Sequence, residues 1–144
     1  MYDLERFVAA HEQDYETALS ELRLGKKTSH WIWYIFPQLK GLGYSERSKF
    51  YGIEDIHEAR AFLNDPVLGP RYLSAVEALL GHSDIPIEDI MGVVDAKKLR
   101  SSLTLMQLAG GGPILRKALD AFFDGELCQN TLKLLNSSRH GTSH

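Results

Sequence analysis

Cysteine is almost absent from this chain: Cys128 is the only one, so the chain can close no disulfide within itself and can build no zinc site on cysteine alone. Long apolar runs are missing too. The longest, Trp31 to Phe36, falls far below the roughly 20 residues that span a bilayer. The first residues, MYDLERFVAAHEQDY, are amphipathic and charged, with no basic leader and no apolar signal core. A cytoplasmic location without a membrane span is therefore expected. There is no excess of positive charge either. With a formal net charge of −3 and a pI near 6.0, a dedicated nucleic-acid binder is disfavoured, because phosphate contacts need clustered Lys and Arg. The six histidines (11, 30, 57, 82, 140 and 144) form no HExxH pair and share no predicted face at ligand spacing, so no metal is expected. P-loop, dinucleotide and nucleophile-elbow patterns are lacking, and no cofactor is expected. No 20- to 50-residue period repeats, which excludes a solenoid.

What is present is an ordinary globular composition, 44% hydrophobic and 24% charged over 144 residues, the usual size of one domain. Leu4, Phe7, Val8, Tyr15, Ala18, Leu19 and Leu22 recur at three- and four-residue steps and predict a helix from about residue 4 to 24, stopped by Gly25. Further helices follow: one over EDIHEARAFLN, one opened by Asp65 as N-cap and Pro66 as N1, and a short piece ended by Gly92. Asp95 is expected to cap AKKLRSSLTLMQLA, Pro113 to open a helix ended by Gly125, and a last helix to cover about 127 to 135. The stretch from Lys40 to Gly52 reads as a loop with one helical turn. The expected fold is all-α, a compact irregular array of about seven helices in one domain over residues 1–136, with a polar, disordered tail at 137–144.

One segment stands out. SHWIWYIFPQ packs Trp31, Trp33, Tyr34 and Phe36 between His30 and Gln38. Such rings bury about 150–250 Å² each, so the segment runs through protein, yet its indole and phenol tips need polar partners. Aromatic walls with a few convergent polar groups also make small-molecule pockets. Trp31 or Trp33 would stack on a flat group, Gln38 would add a hydrogen bond, and His30 would be the catalytic proton carrier if there is chemistry. GLGYSERSKFYGI offers glycines and hydroxyls beside Arg47 and Lys49 to an anion, and VVDAKKLRSS places Arg100 and Ser101 one turn inside a helix, where they could hold a phosphate or carboxylate.

These stretches, SHWIWYIFPQLKGLGYSERSKFYGI with EARAFLNDPVLGPRY and DAKKLRSSLTLM, resemble a family of bacterial and fungal proteins classed as a domain of unknown function, some of whose members bear the label calpastatin. The resemblance covers residues 4 to 135 and implies a compact, mainly helical domain without a known activity. The label would mean a calpain inhibitor, a disordered, repeat-based class, and this chain has neither repeats nor a disorder composition. In general style the chain is also similar to helical domains that act on ADP-ribose or N-glycosidic bonds, whose glutamate-histidine motif has no match here. Two functions are expected from the sequence: binding, and with His30 processing, of an anionic nucleotide-like small molecule, or a protein-interaction module, monomeric or homodimeric, that presents an apolar patch.

Overall fold

A computed structural model describes residues 2–142, with side chains through residue 137. It contains eight helices among the described residues: α1 (Glu5–Leu24), α2 (Ile32–Ile35), α3 (Glu46–Tyr51), α4 (Ile56–Asn64), α5 (Leu68–Leu80), α6 (Ile87–Leu108), α7 (Pro113–Phe123) and α8 (Gln129–Thr142). No strand forms among them; a single parallel bridge joins Leu39 to Ile53. The all-α fold expected from the periodicity is the observed one.

Helix α5 packs on α1, α4 and α7, and α6 runs along α7. The core follows from the apolar stripes of these helices. Phe7 of α1 meets Phe62 of α4 edge to face, and Tyr72 of α5 stands edge-on to both Phe36 and Phe62. Each ring is 1% exposed or less. Burial pushes the Tyr72 phenol above its usual pKa, and its hydroxyl is satisfied by the Ser102 hydroxyl at 2.8 Å. Short α2 lies against α1, α3 and α6 and ends where Pro37 holds Phe36 out of helical angles.

Three helix ends differ from the expected ones. Asp65 does cap, but its carboxylate accepts from the N–H groups of Val67 and Leu68, and α5 begins at Leu68 instead of Pro66. As expected, the first helical stretch of α6 stops at Gly92, whose φ 86° and ψ 162° are not helical and divide the element into two helical pieces across a kink. Asp95 lies near the start of the second piece, where its carboxylate pairs with Lys27 Nζ at 2.8 Å instead of capping. Helix α8 runs from Gln129 to Thr142, across most of the segment expected to be a disordered tail; residues 143 and 144 lie outside the described residues.

The Gly92 backbone sits in a region that only glycine occupies readily, and a Cβ there would touch nothing within 4 Å. Gly92→Ala should therefore cost about 1–3 kcal/mol from backbone strain alone, measurable by urea denaturation.

Candidate functional site

The loop between α2 and α4 is pinned from both ends. Lys40 N–H donates to the Ile53 carbonyl and Ile53 N–H to the Gln38 carbonyl, each at 2.8 Å. A Cβ on Gly52 would fall 2.8 Å from the Lys40 Cα, so only glycine lets the two sides of the loop approach this closely. Within the loop, Ser45 caps α3, its hydroxyl accepting from Ser48 N–H at 3.1 Å.

Between this loop, α6 and the start of α8 lies a cleft of about 410 Å³. Trp33 and Gln38 line its α2 side, Lys97, Lys98 and Ser101 its α6 side, and Cys128 and Asn130 its α8 end. Tyr44 and Val94, 90% and 66% exposed, stand at its rim. The charge of this cleft is opposite to that of the chain. Its lining carries two lysines and no Asp or Glu, in a chain of net charge −3.

The cations are organised around Trp33. Lys98 Nζ stands 4.7 Å from the centre of the indole ring and Arg47 Cζ 5.0 Å, both within cation-π range. The Trp33 indole N–H is buried and finds no acceptor. Lys98 also lies 3.8 Å from Asp95, whose closer partner is Lys27, while Lys97 is exposed and makes no ion pair among the described residues.

Of the residues expected at a site, the structure brings Trp33, Gln38 and Ser101 to the cleft, and Arg47 to the Trp33 ring. Ser101 is 3% exposed, and its hydroxyl is engaged with that of Thr131 at 2.8 Å, tying α6 to α8 beneath the cleft. The others are elsewhere. Trp31 is 1% exposed and donates its indole N–H to Glu21, so it is a core residue with its polar tip already spent. His30 is exposed and is not among the residues that line this cleft. Lys49 is exposed on α3 and does not line the cleft. Arg100 is directed to Glu126 at 3.8 Å and to the Phe123 ring at 6.0 Å.

Lys97 and Lys98 lie inside the stretch expected to hold an anion, but their alternation with Arg100 along α6 gives no sign of which cation faces the cleft. Tyr44 lay in the candidate loop without a role. Asn130 and Cys128 reach the cleft only because α8 folds back on α6, which no local pattern announces. Among the described residues no group of three or more His, Cys, Asp or Glu side chains could hold a metal, and no helix is long and apolar enough to cross a membrane.

The fold and cleft define a small all-helical protein with a cationic, aromatic-edged recess. Residues 1–135 match the family described as "Protein of unknown function (DUF1810)", and the chain belongs to that family. It is also similar to the conserved hypothetical protein Rv1873 from Mycobacterium tuberculosis, whose crystal structure it matches with a TM-score of 0.89 at 37% identity over 94% of this chain and 97% of that one. No curated protein matches the chain.

Proposed function

We propose that the cleft binds a small anionic ligand of nucleotide type. The observation that carries this reading is the reversal of charge: two lysines and no carboxylate line a recess in an otherwise acidic chain. Lys97 and Lys98 would hold anionic oxygens, with Arg47 joining them from the Trp33 ring. Gln38 and Asn130 supply amide donors and acceptors to the recess. Binding is all that this arrangement supports, because His30 does not line it.

The exposed apolar groups favour a second reading, a protein-interaction surface. Tyr44, Val93 and Val94 are all more than half exposed, as is Phe50 on α3. Molecular mass measured against concentration separates the two: a dimer that forms through these residues supports the interface, and a strict monomer supports the small-ligand cleft.

The direct test is calorimetric titration with adenosine 5′-monophosphate, ADP and ADP-ribose at low and high salt. The Lys97→Ala/Lys98→Ala double variant should bind at least about tenfold more weakly than wild type, with a shallower salt dependence. Wild-type protein that binds none of these compounds at millimolar concentration, or a double variant that binds them equally well, would remove the proposal.

A further inference from the structure

An anionic group explains the lysines of the cleft but not its aromatic edge. Three aromatic residues were available to stack on a flat ligand group, and two are already committed. Trp31 is 1% exposed and donates to Glu21. The ring of Trp33 carries Arg47 and Lys98 against it, so it serves to position the cations. Tyr44 remains. It lines the cleft and is 90% exposed, the most exposed of the large hydrophobic side chains.

Its position is not that of a side chain on a loose loop. Gly43 packs so tightly that a Cβ there would lie 2.8 Å from the Ser48 hydroxyl oxygen. The Ser48 hydroxyl in turn donates to the Ser45 carbonyl at 2.9 Å, and Ser45 caps α3. The turn on either side of Tyr44 is thus held by packing and by hydrogen bonds, while the ring itself rests on almost nothing. An aromatic ring displayed from a fixed turn loses little conformational freedom when it stacks on a ligand.

We infer that Tyr44 is the stacking platform of the cleft, and that it makes the site select anions bearing a planar ring over simple phosphate esters. This rests on the anionic-ligand reading above. The bound ligand is then two-ended, its oxyanion toward Lys97 and Lys98 and its ring on Tyr44 at the rim. Stacking of one base on an aromatic side chain is worth enough to change affinity about tenfold or more.

The test compares two probes that share a phosphate, adenosine 5′-monophosphate and ribose 5-phosphate, on wild type, Tyr44→Ala and Tyr44→Phe. Tyr44→Ala should weaken the nucleotide about tenfold and leave ribose 5-phosphate unchanged, and Tyr44→Phe should bind both as wild type does. Because the ring is exposed, the melting temperature should not move, so loss of fold cannot imitate the result. Equal binding of the nucleotide by Tyr44→Ala and wild type, or equal weakening of both probes, overturns the stacking role while leaving the anion site standing. Wild-type protein that binds neither probe overturns the anion site and the stacking role together. An oligomer that dissociates on Tyr44→Ala overturns the inference by assigning the ring to a protein interface.

Discussion

Glu21→Ala is expected to destabilise the protein by about 3–4 kcal/mol in urea denaturation followed by circular dichroism. The carboxylate is buried at the end of α1 and organises the chain that leads into α2. It accepts from the N–H groups of Thr28 and Ser29 at 2.8 and 3.0 Å, from the Ser29 hydroxyl at 2.5 Å and from the Trp31 indole at 3.0 Å. Alanine removes all four bonds at once and leaves a donor of the fully buried Trp31 with no acceptor, the costly kind of loss. Glu21→Gln keeps one carbonyl oxygen and should fall between the two. Burial alone would raise the pKa of this carboxyl, but the bonds from Ser29, Thr28 and Trp31 outweigh it and hold the group at about 2, below the ordinary 4.5. The unfolded chain therefore takes up the proton first as the pH falls. Glu21 contributes its full stabilisation above about pH 4.5 and loses it progressively toward pH 2, so wild type and Glu21→Gln should converge in stability across that window. Curves that stay parallel from pH 5 to pH 2 would show that the ionised form is not what the network needs.

Glu21 also marks where the sequence is legible and where it is not. The apolar steps along α1, α5 and α7 sufficed to place those helices, because a stripe at helical spacing has few alternatives to facing a core. Pro113 opened α7 where expected, since the backbone angle it imposes is a local property, while the left-handed turn that ends the helix begins one residue early, at Asp124, and continues through Gly125. Asp95 was misjudged for a complementary reason. It has the local signature of an N-cap just past the break at Gly92, but its carboxylate is taken by Lys27, a partner far away in the chain. Long-range partners decided the site in the same way. SHWIWY was recognisable as unusual, but whether Trp31 or Trp33 faces a recess depends on which indole reaches Glu21, and Glu21 looked like any solvated acid of an amphipathic helix. His11 is the clearest case. It fills the gap in the apolar stripe between Phe7 and Tyr15, four residues from each, and that spacing was the available sign that it is buried.

Acid should weaken the fold through His11 before it reaches Glu21. The ring is 2% exposed, lies 5.6 Å from the Tyr15 ring at an interplanar angle of 11°, and brings Nε2 within 2.8 Å of the Tyr34 carbonyl. A carbonyl can only accept, so Nε2 carries the proton, and Nδ1 is left as a bare, buried nitrogen with no partner. A second proton would place an N–H without an acceptor and a positive charge in this site. Burial holds the pKa of His11 below the ordinary 6.5; the Tyr34 bond works against that shift, the Arg71 guanidinium adds to it, and Asp65 opposes it weakly. Unfolded chains then bind the proton at higher pH than folded ones do. The contribution of His11 is complete above about pH 6.5 and falls as the pH drops below it, with a limiting slope of about 1.4 kcal/mol per pH unit for one proton. His11→Gln can still donate an N–H to the Tyr34 carbonyl but cannot titrate. It should cost about 1–3 kcal/mol at pH 7.5, as substitutions at buried, hydrogen-bonded positions do, and should lose less stability than wild type between pH 7 and pH 5. Equal losses in the two proteins over that range would exclude His11 as the titrating group. The same bond fixes α2 to α1 at the residue that follows Trp33, so acid that disturbs it acts on the element carrying the cleft's central ring. Ligand binding should therefore weaken more steeply below pH 6 in wild type than in His11→Gln.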